Sequence, residues 1–153
     1  MAIQFSQSVR NLFIGRGLLG AFVSPCSISV YSGVQPTSAQ VTANWASYAS
    51  TNAIFLNHYT GGTWTQPSNG IMMQLSTVPA TQIALNSGTA TWCILWTSAV
   101  TAANVAAGTL PNISFIVAPC SDSVGSGVVR FADPIFVSGA TKIILDGSIG
   151  ATF

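Results

Sequence analysis

Few residues in this chain could do chemistry, and each can be tested in turn. The one histidine, His58, lies in "FLNHY". Hydrolysis needs a base beside a nucleophile, or two carboxylates around the scissile bond. Read as a strand, the segment turns Asn57 and Tyr59 to the face opposite His58, so no sequence neighbour completes a catalytic set. A structural or surface histidine is the expectation. All three acids are aspartates: Asp122 follows Cys120 in a polar loop, Asp133 precedes Pro134, and Asp146 precedes Gly147. Each reads as a turn position, where the carboxylate accepts local backbone N–H groups. No Asp-rich calcium loop is present.

The three cysteines, Cys26, Cys93 and Cys120, are odd in number and lack any CxxC or Cys/His zinc spacing. Cys93 in "TWCILW" reads as a buried thiol, and free thiols fit synthesis in a reducing compartment. "GRGLLG" (Gly15–Gly20) matches G-x-G-x-x-G, but it follows a helical pattern and precedes a strand. A dinucleotide site needs the reverse order. "NIS" (Asn112–Ser114) fits the glycosylation sequon inside an apolar strand, where it reads as a chance match. The chain therefore predicts no catalytic residue, no cofactor, no metal and no small-molecule substrate.

Composition narrows the partners. Four Lys+Arg and three Asp+Glu make only 5% of 153 residues charged, with net charge +1, whereas soluble domains carry about 25%. Arg10 and Arg16 are the only close basic pair, too little to track a phosphate backbone or to hold an anionic membrane surface. Mean hydropathy is +0.55, yet no run approaches the about 20 apolar residues of a membrane span. "LFIGRGLLGAFV" (Leu12–Val23) imitates a signal peptide, but Arg16 interrupts its apolar stretch and "SPC" replaces the small-x-small cleavage site. The expectation is a soluble protein with a weakly charged Ser/Thr/Ala/Gly surface. Such a surface has little colloidal protection and suits a subunit that is covered in an assembly.

The elements that must position these residues are short. Phe5, Val9, Leu12, Phe13 and Leu19 approximate helical spacing, with Ser6 or Ser8 as cap and Gly15, Gly17 and Gly20 weakening the second half. Beyond residue 22 the period changes to two. "SISVYSG" is a strand stopped by Pro36, and Ser38 caps a short helical stretch through Val41, Trp45 and Tyr48. "AIFLNHY" (Ala53–Tyr59), "IMMQL" (71–75), "QIAL" (82–85), "TATWCILWT" (89–97), "NISFIVA", "VVRFA", "IFVSG" and "TKIIL" read as strands. "QPSNG" (66–70), "NSG" (86–88) and "CSDSVGSG" are the turns or loops between them. "SAVTAANVAAG" reads as a linker, and Asp146-Gly147 as a tight hairpin turn. The pattern predicts a single domain over residues 1–153: an N-terminal helix and turn over 1–22, then an all-β body over 23–153. That body is expected to be an antiparallel β-sandwich or jelly-roll-like fold of eight or nine short strands.

Aromatic residues are the remaining candidates. Trp92 and Trp96 belong to a core-like strand. Trp45, Tyr48, Tyr59 and Trp64 flank the polar middle of the chain, where core packing, a protein interface and sugar stacking are the three readings in descending order. The N-terminal helix either packs on the body or docks on a partner. The candidate protein-interface residues are thus Phe5, Val9, Leu12, Phe13, Trp45, Tyr48, Tyr59 and Trp64.

The order of segments carries a resemblance. "SVRNLFIGRGLLGAF" leads into "ISVYSGVQPTSA", then "GTWTQPSNG" and "GTATWCILWTSA", and the chain closes on "IFVSGATKIILDGSIGATF". This resembles a family of small tailed-bacteriophage virion proteins that share an N-terminal helix, a strand ending in Y-[ST]-G-x-Q-P, a central G-T-A-x-[WYF] strand and a closing strand pair around SGxT. The insert around Trp45–Tyr59 is longer than that pattern. The resemblance implies a β-sandwich subunit without enzymatic activity, assembled in the host bacterial cytoplasm and built into the virion. Its role there would be that of a capsid decoration (cement) protein or a neck, tail or fibre-base component. The implied partners are other copies of itself, as a trimer or dimer, and the major capsid protein or neck and tail proteins.

Overall fold

Trp92–Trp96 of "TWCILW" are all buried, and this double burial organises the molecule. A strand sends alternate side chains to opposite faces, so a strand buried on both needs an apolar layer on each side. Cys93 and Leu95 enter one apolar cluster, while Trp92, Ile94 and Trp96 enter a second. The neighbouring strands divide in the same way. The computed structural model that shows this describes residues 2–11, 25–43, 53–65, 71–107 and 114–150.

Among the described residues the strands are β1 (Gln4–Phe5), β2 (Cys26–Gly33), β3 (Ala53–Thr65), β4 (Ile71–Thr77), β5 (Gln82–Ile83), β6 (Gly88–Thr89) and β7 (Trp92–Trp96). They continue with β8 (Phe115–Asp122), β9 (Val129–Phe131), β10 (Ile135–Phe136), β11 (Thr141–Lys142) and β12 (Ile144–Gly150). Helical residues 7–11 (α1) and 38–43 (α2) and helix α3 (Ala102–Ala107) complete the set.

The main sheet runs β8-β7-β2-β3-β4-β12-β9, antiparallel at every step. A parallel ladder then joins its ends, with Cys120 opposite Val129, Ser121 opposite Arg130 and Asp122 opposite Phe131. The sheet is therefore a closed seven-stranded barrel, and the expected open sandwich or jelly roll is wrong. Alternation and turn spacing are the same in the two architectures. The difference lies in this three-residue seam, which removes the two free edges of the sheet.

The seam depends on a tight loop, because parallel neighbours ordinarily need a crossover of a dozen or more residues. Here the chain returns within residues 123–128. The Asp122 carboxylate accepts the N–H groups of Val124 and Gly125, the Ser121 hydroxyl accepts that of Gly127, and Val128 N–H donates to the Pro119 carbonyl. A Cβ on Gly127 would lie 2.5 Å from the Cys120 carbonyl carbon and the Ser121 nitrogen, so only glycine passes.

All seven barrel strands contribute to the first cluster, which fills the interior: Ile28 and Val30, Leu56 and Tyr59, Leu75, Ile149, Val129 and Phe131, Ile116 and Ala118 are among its members. The second cluster lies on the outer face of β2, β7 and β8. Tyr31 stacks on Trp92 at 4.3 Å and Trp96 meets Phe115 edge-on, while Val41 of α2, Val100 and Val105 of α3 cover them. α3 occupies the segment expected to be a linker. Alanine is the best helix former, and Thr101 caps the helix by accepting Asn104 N–H. α2 is capped by Thr37 rather than Ser38: Thr37 Oγ1 accepts Gln40 N–H while Gln40 Oε1 accepts Thr37 N–H, a reciprocal capping box.

Two further expectations are corrected. The strand from Ala53 does not stop before Gly61-Gly62. It runs on to Thr65, with Gly61 at a φ of 86°, and its pairing passes from β2 to β4. Asp146-Gly147 is not a hairpin turn but lies inside β12. A Cβ on Gly147 would sit 3.1 Å from Trp64 Cη2, so the glycine admits the indole ring.

Candidate functional site

The chemistry-bearing side chains prove to be placed for structure. His58 stands opposite Ser29 on the outer face of the barrel, and both are buried. Its Nε2 lies 2.6 Å from the Val100 carbonyl oxygen, which can only accept, so Nε2 carries the ring proton. Nδ1 is then the acceptor, 2.8 Å from the Ser29 hydroxyl, which donates to it. Ser29 Oγ in turn accepts Trp96 Nε1–H at 2.8 Å. The chain Trp96→Ser29→His58→Val100 satisfies each of these groups. Ser27 reinforces the same point by accepting Val100 N–H and donating to its carbonyl.

A hydroxyl beside an imidazole is the raw material of nucleophilic catalysis. This one is sealed under the outer aromatic layer, with Ser29 at 0% exposure, and a substrate has no approach. Burial lowers the His58 pKa from its ordinary value, against a smaller raising effect of the Val100 carbonyl. The neutral ring is the form the network requires.

Two of the thiols, Cys26 and Cys120, are equally inert. Burial pushes Cys26 up to about 11, although its sulfur accepts Trp64 Nε1–H at 3.0 Å, and burial raises Cys120 as well. The reactive species is the thiolate, so these cysteines stay protonated near neutral pH. Asp122 and Asp133 take the expected turn roles, Asp133 accepting Ile135 N–H and pairing with Lys142. Asp146 departs from expectation: it forms a bidentate pair with Arg130 across β12 and β9. Among the described residues no group of three or more His, Cys, Asp or Glu could hold a metal, and no helix is long and apolar enough to cross a membrane.

The eight aromatic and helical interface candidates are scattered. Val9, Tyr59 and Trp64 are buried in the barrel interior, which removes them from any surface, and half-buried Phe5 packs against the same cluster from β1. Leu12, Phe13, Trp45 and Tyr48 lie outside the described residues, as do "GRGLLG" and most of "NIS". Ser6 caps α1 by accepting Val9 N–H, so helical residues 7–11 pack on the body.

The surface holds what the sequence reading missed. Ile83, Leu85, Ile135, Val137, Ile143 and Leu145 are large aliphatics with 41–61% of their area exposed. They stand on the segments containing β5, β6, β10, β11 and the start of β12. Their inward neighbours Ala84, Ala90, Phe136 and Ile144 belong to the barrel core. Alternation in these segments was legible, but both of its phases are apolar, so it did not say which face is outward. No protein-family model, curated protein or solved structure matches this chain.

Proposed function

We propose that this protein is a non-enzymatic structural subunit of a tailed-bacteriophage virion, a decoration protein that binds and stabilises the head shell. The observation that carries the reading is a contrast in surface chemistry. The groups able to act on a substrate are buried or engaged in local bonds, while exposed aliphatics stand on a body with only seven ionic residues. Such a surface is suited to being covered by protein. The order of sequence segments supplies the phage context.

The sugar-binding reading is weakened, since Tyr59 and Trp64 of its four aromatics lie in the core. The test is to add purified protein to expanded heads lacking it. The expected result is saturable binding that survives a change from 0.1 to about 1 M salt, because an uncharged contact is little screened. Absence from heads, with label on the neck or tail of intact virions, would move the protein to those parts. Absence from the whole virion would end the proposal.

A further inference from the structure

Residues 98–107 cross the outer face of the barrel as a strap, from the end of β7 through α3. By itself the strap is weakly held. α3 has six residues, of which Val105 is the buried one, and a helix this short is unstable in isolation. The strap is pinned at Val100, which is buried in the aromatic layer beside Val105. Ser27 Oγ accepts Val100 N–H at 2.9 Å and donates to the Val100 carbonyl at 3.2 Å, and His58 Nε2–H donates to that carbonyl at 2.6 Å. A titratable ring on β3 thus holds the main chain of a segment 42 residues further on.

We propose that His58 is an acid-sensitive latch: a second proton on its ring releases the strap and uncovers the aromatic face of β2, β7 and β8. The hydrogen bonds give the first reason. With Nε2–H committed to Val100, the added proton goes to Nδ1 and points at Ser29 Oγ, 2.8 Å away. In the neutral network Ser29 donates to Nδ1, and its oxygen already accepts Trp96 Nε1–H. Protonation turns that acceptor into a donor. The Ser29 hydroxyl proton then has to find another partner in a fully buried site, where an unmet polar group is destabilising.

The second reason is that no described residue supplies a counter-charge. On the outer face β7 presents Trp96, and β8 presents Phe115 and Val117. Residues 97–107 of the strap, 38–43 of α2 and 82–86, which bond to β3 through Leu85 N–H on the Leu56 carbonyl, contain no ionisable side chain. Tyr31 is the titratable group on the outer face of β2. Burial holds its phenol well above the ordinary value, so it stays neutral. Asp133 pairs with Lys142, Asp146 with Arg130, and Asp122 accepts Val124 and Gly125 N–H in the seam loop. An imidazolium in this place is a buried charge without a partner, which is strongly destabilising. The strap can move aside and admit water without breaking a ladder of the barrel, so local opening relieves the charge before the whole molecule unfolds.

The test is hydrogen exchange of the full chain by mass spectrometry at about pH 7.5 and 5.0, corrected for intrinsic rates. Peptides covering 97–107 should lose protection at the lower pH by at least about threefold. The loss is bounded at about 30-fold by an exposed imidazole that titrates near 6.5. At the lower pH their protection should also lie at least about tenfold below that of β2 and β8, which exchange only when the barrel opens. In His58→Gln, which has no titrating ring, the strap should be equally protected at both pH values. Unchanged strap protection in wild type, strap exchange at the rate of β2 and β8, or the same acid loss in His58→Gln would each overturn the latch. If that variant does not fold, wild type alone decides: the acid rise in strap exchange should level off where the His58 ring titrates by carbon-13 NMR. A rise that continues more than about one pH unit below that point would overturn it.

Discussion

On the side built by β2, β7 and β8 the chain covers its own apolar outer face, whereas on the ribbon side, where β11 pairs with β5 and β10 with β6, no described residue covers a comparable face. Both faces alternate with core residues of the same barrel, Trp92, Ile94 and Trp96 on one side and Ile135, Val137 and Ile143 on the other. The difference is what the neighbouring chain supplies. Val41 of α2, Val100 and Val105 of α3 reach over the first face. Nothing among the described residues does so for the second. Apolar alternation tells where faces are, and only the intervening segments decide which faces are self-sufficient.

The largest effect should come from the seam that holds the two sides in one barrel. Gly127→Ala forces a methyl into the Cys120–Ser121 peptide, and we expect a loss of more than about 4 kcal/mol, seen as a collapsed urea midpoint or insoluble protein. Within the covered side, Ser29→Ala leaves His58 Nδ1 and Trp96 Nε1 buried without this shared partner, at a cost of about 3 kcal/mol in the same measurement. The comparison itself is tested by one substitution made twice. Ile94→Thr should cost about 2–3 kcal/mol by burying a hydroxyl under the aromatic layer, and Ile135→Thr should stay within about 0.5 kcal/mol. Equal costs would mean that the two faces are equally covered.

Acid should weaken the covered side through His58. Its folded pKa is depressed, so the unfolded chain binds the proton more readily, and stability rises with pH between the folded value and about 6.5. The contribution is complete above that pH and is lost as pH falls below it, by at most about 1.4 kcal/mol per pH unit. Urea midpoints between pH 7.5 and 5.5 should show the decline, and His58→Gln should remove it. The smallest effect is expected at the ion pair. Asp146→Asn should cost less than about 1 kcal/mol, and less again in high salt, because both side chains are over a third solvent-accessible.

Much of the strand pattern was legible because β-branched and aromatic runs stand between strong turn residues. "TWCILW" as the central strand and His58 turned away from Tyr59 both follow from period-two geometry. Closure was not legible: a three-residue parallel ladder has no composition of its own, and the glycines that permit it read as ordinary loop. "DG" in β12 misled for a physical reason, since a glycine that makes room for Trp64 looks like one that turns the chain. "TAANVAA" hid a helix because Ala-rich small residues also make linkers. The Ser29–His58 contact joins residues 29 apart, and the exposed ribbon face joins segments about fifty apart, which local patterns do not report.

The seam also sets a timetable. β8 is flanked along one edge first by β1 and then by β9, and Ser6 binds Phe115 across 109 residues of sequence. β12 must bridge β4 and β9 before the ring is complete. A growing chain therefore carries open strand edges until its residues near 150 have left the ribosome, and the barrel forms only once β12 is free to pair. Contacts this distant in sequence slow folding, and unpaired edges on many identical nascent chains invite exchange of strands between them. Yield in a cell should then depend on how fast the seam zips relative to how often two unfinished barrels meet.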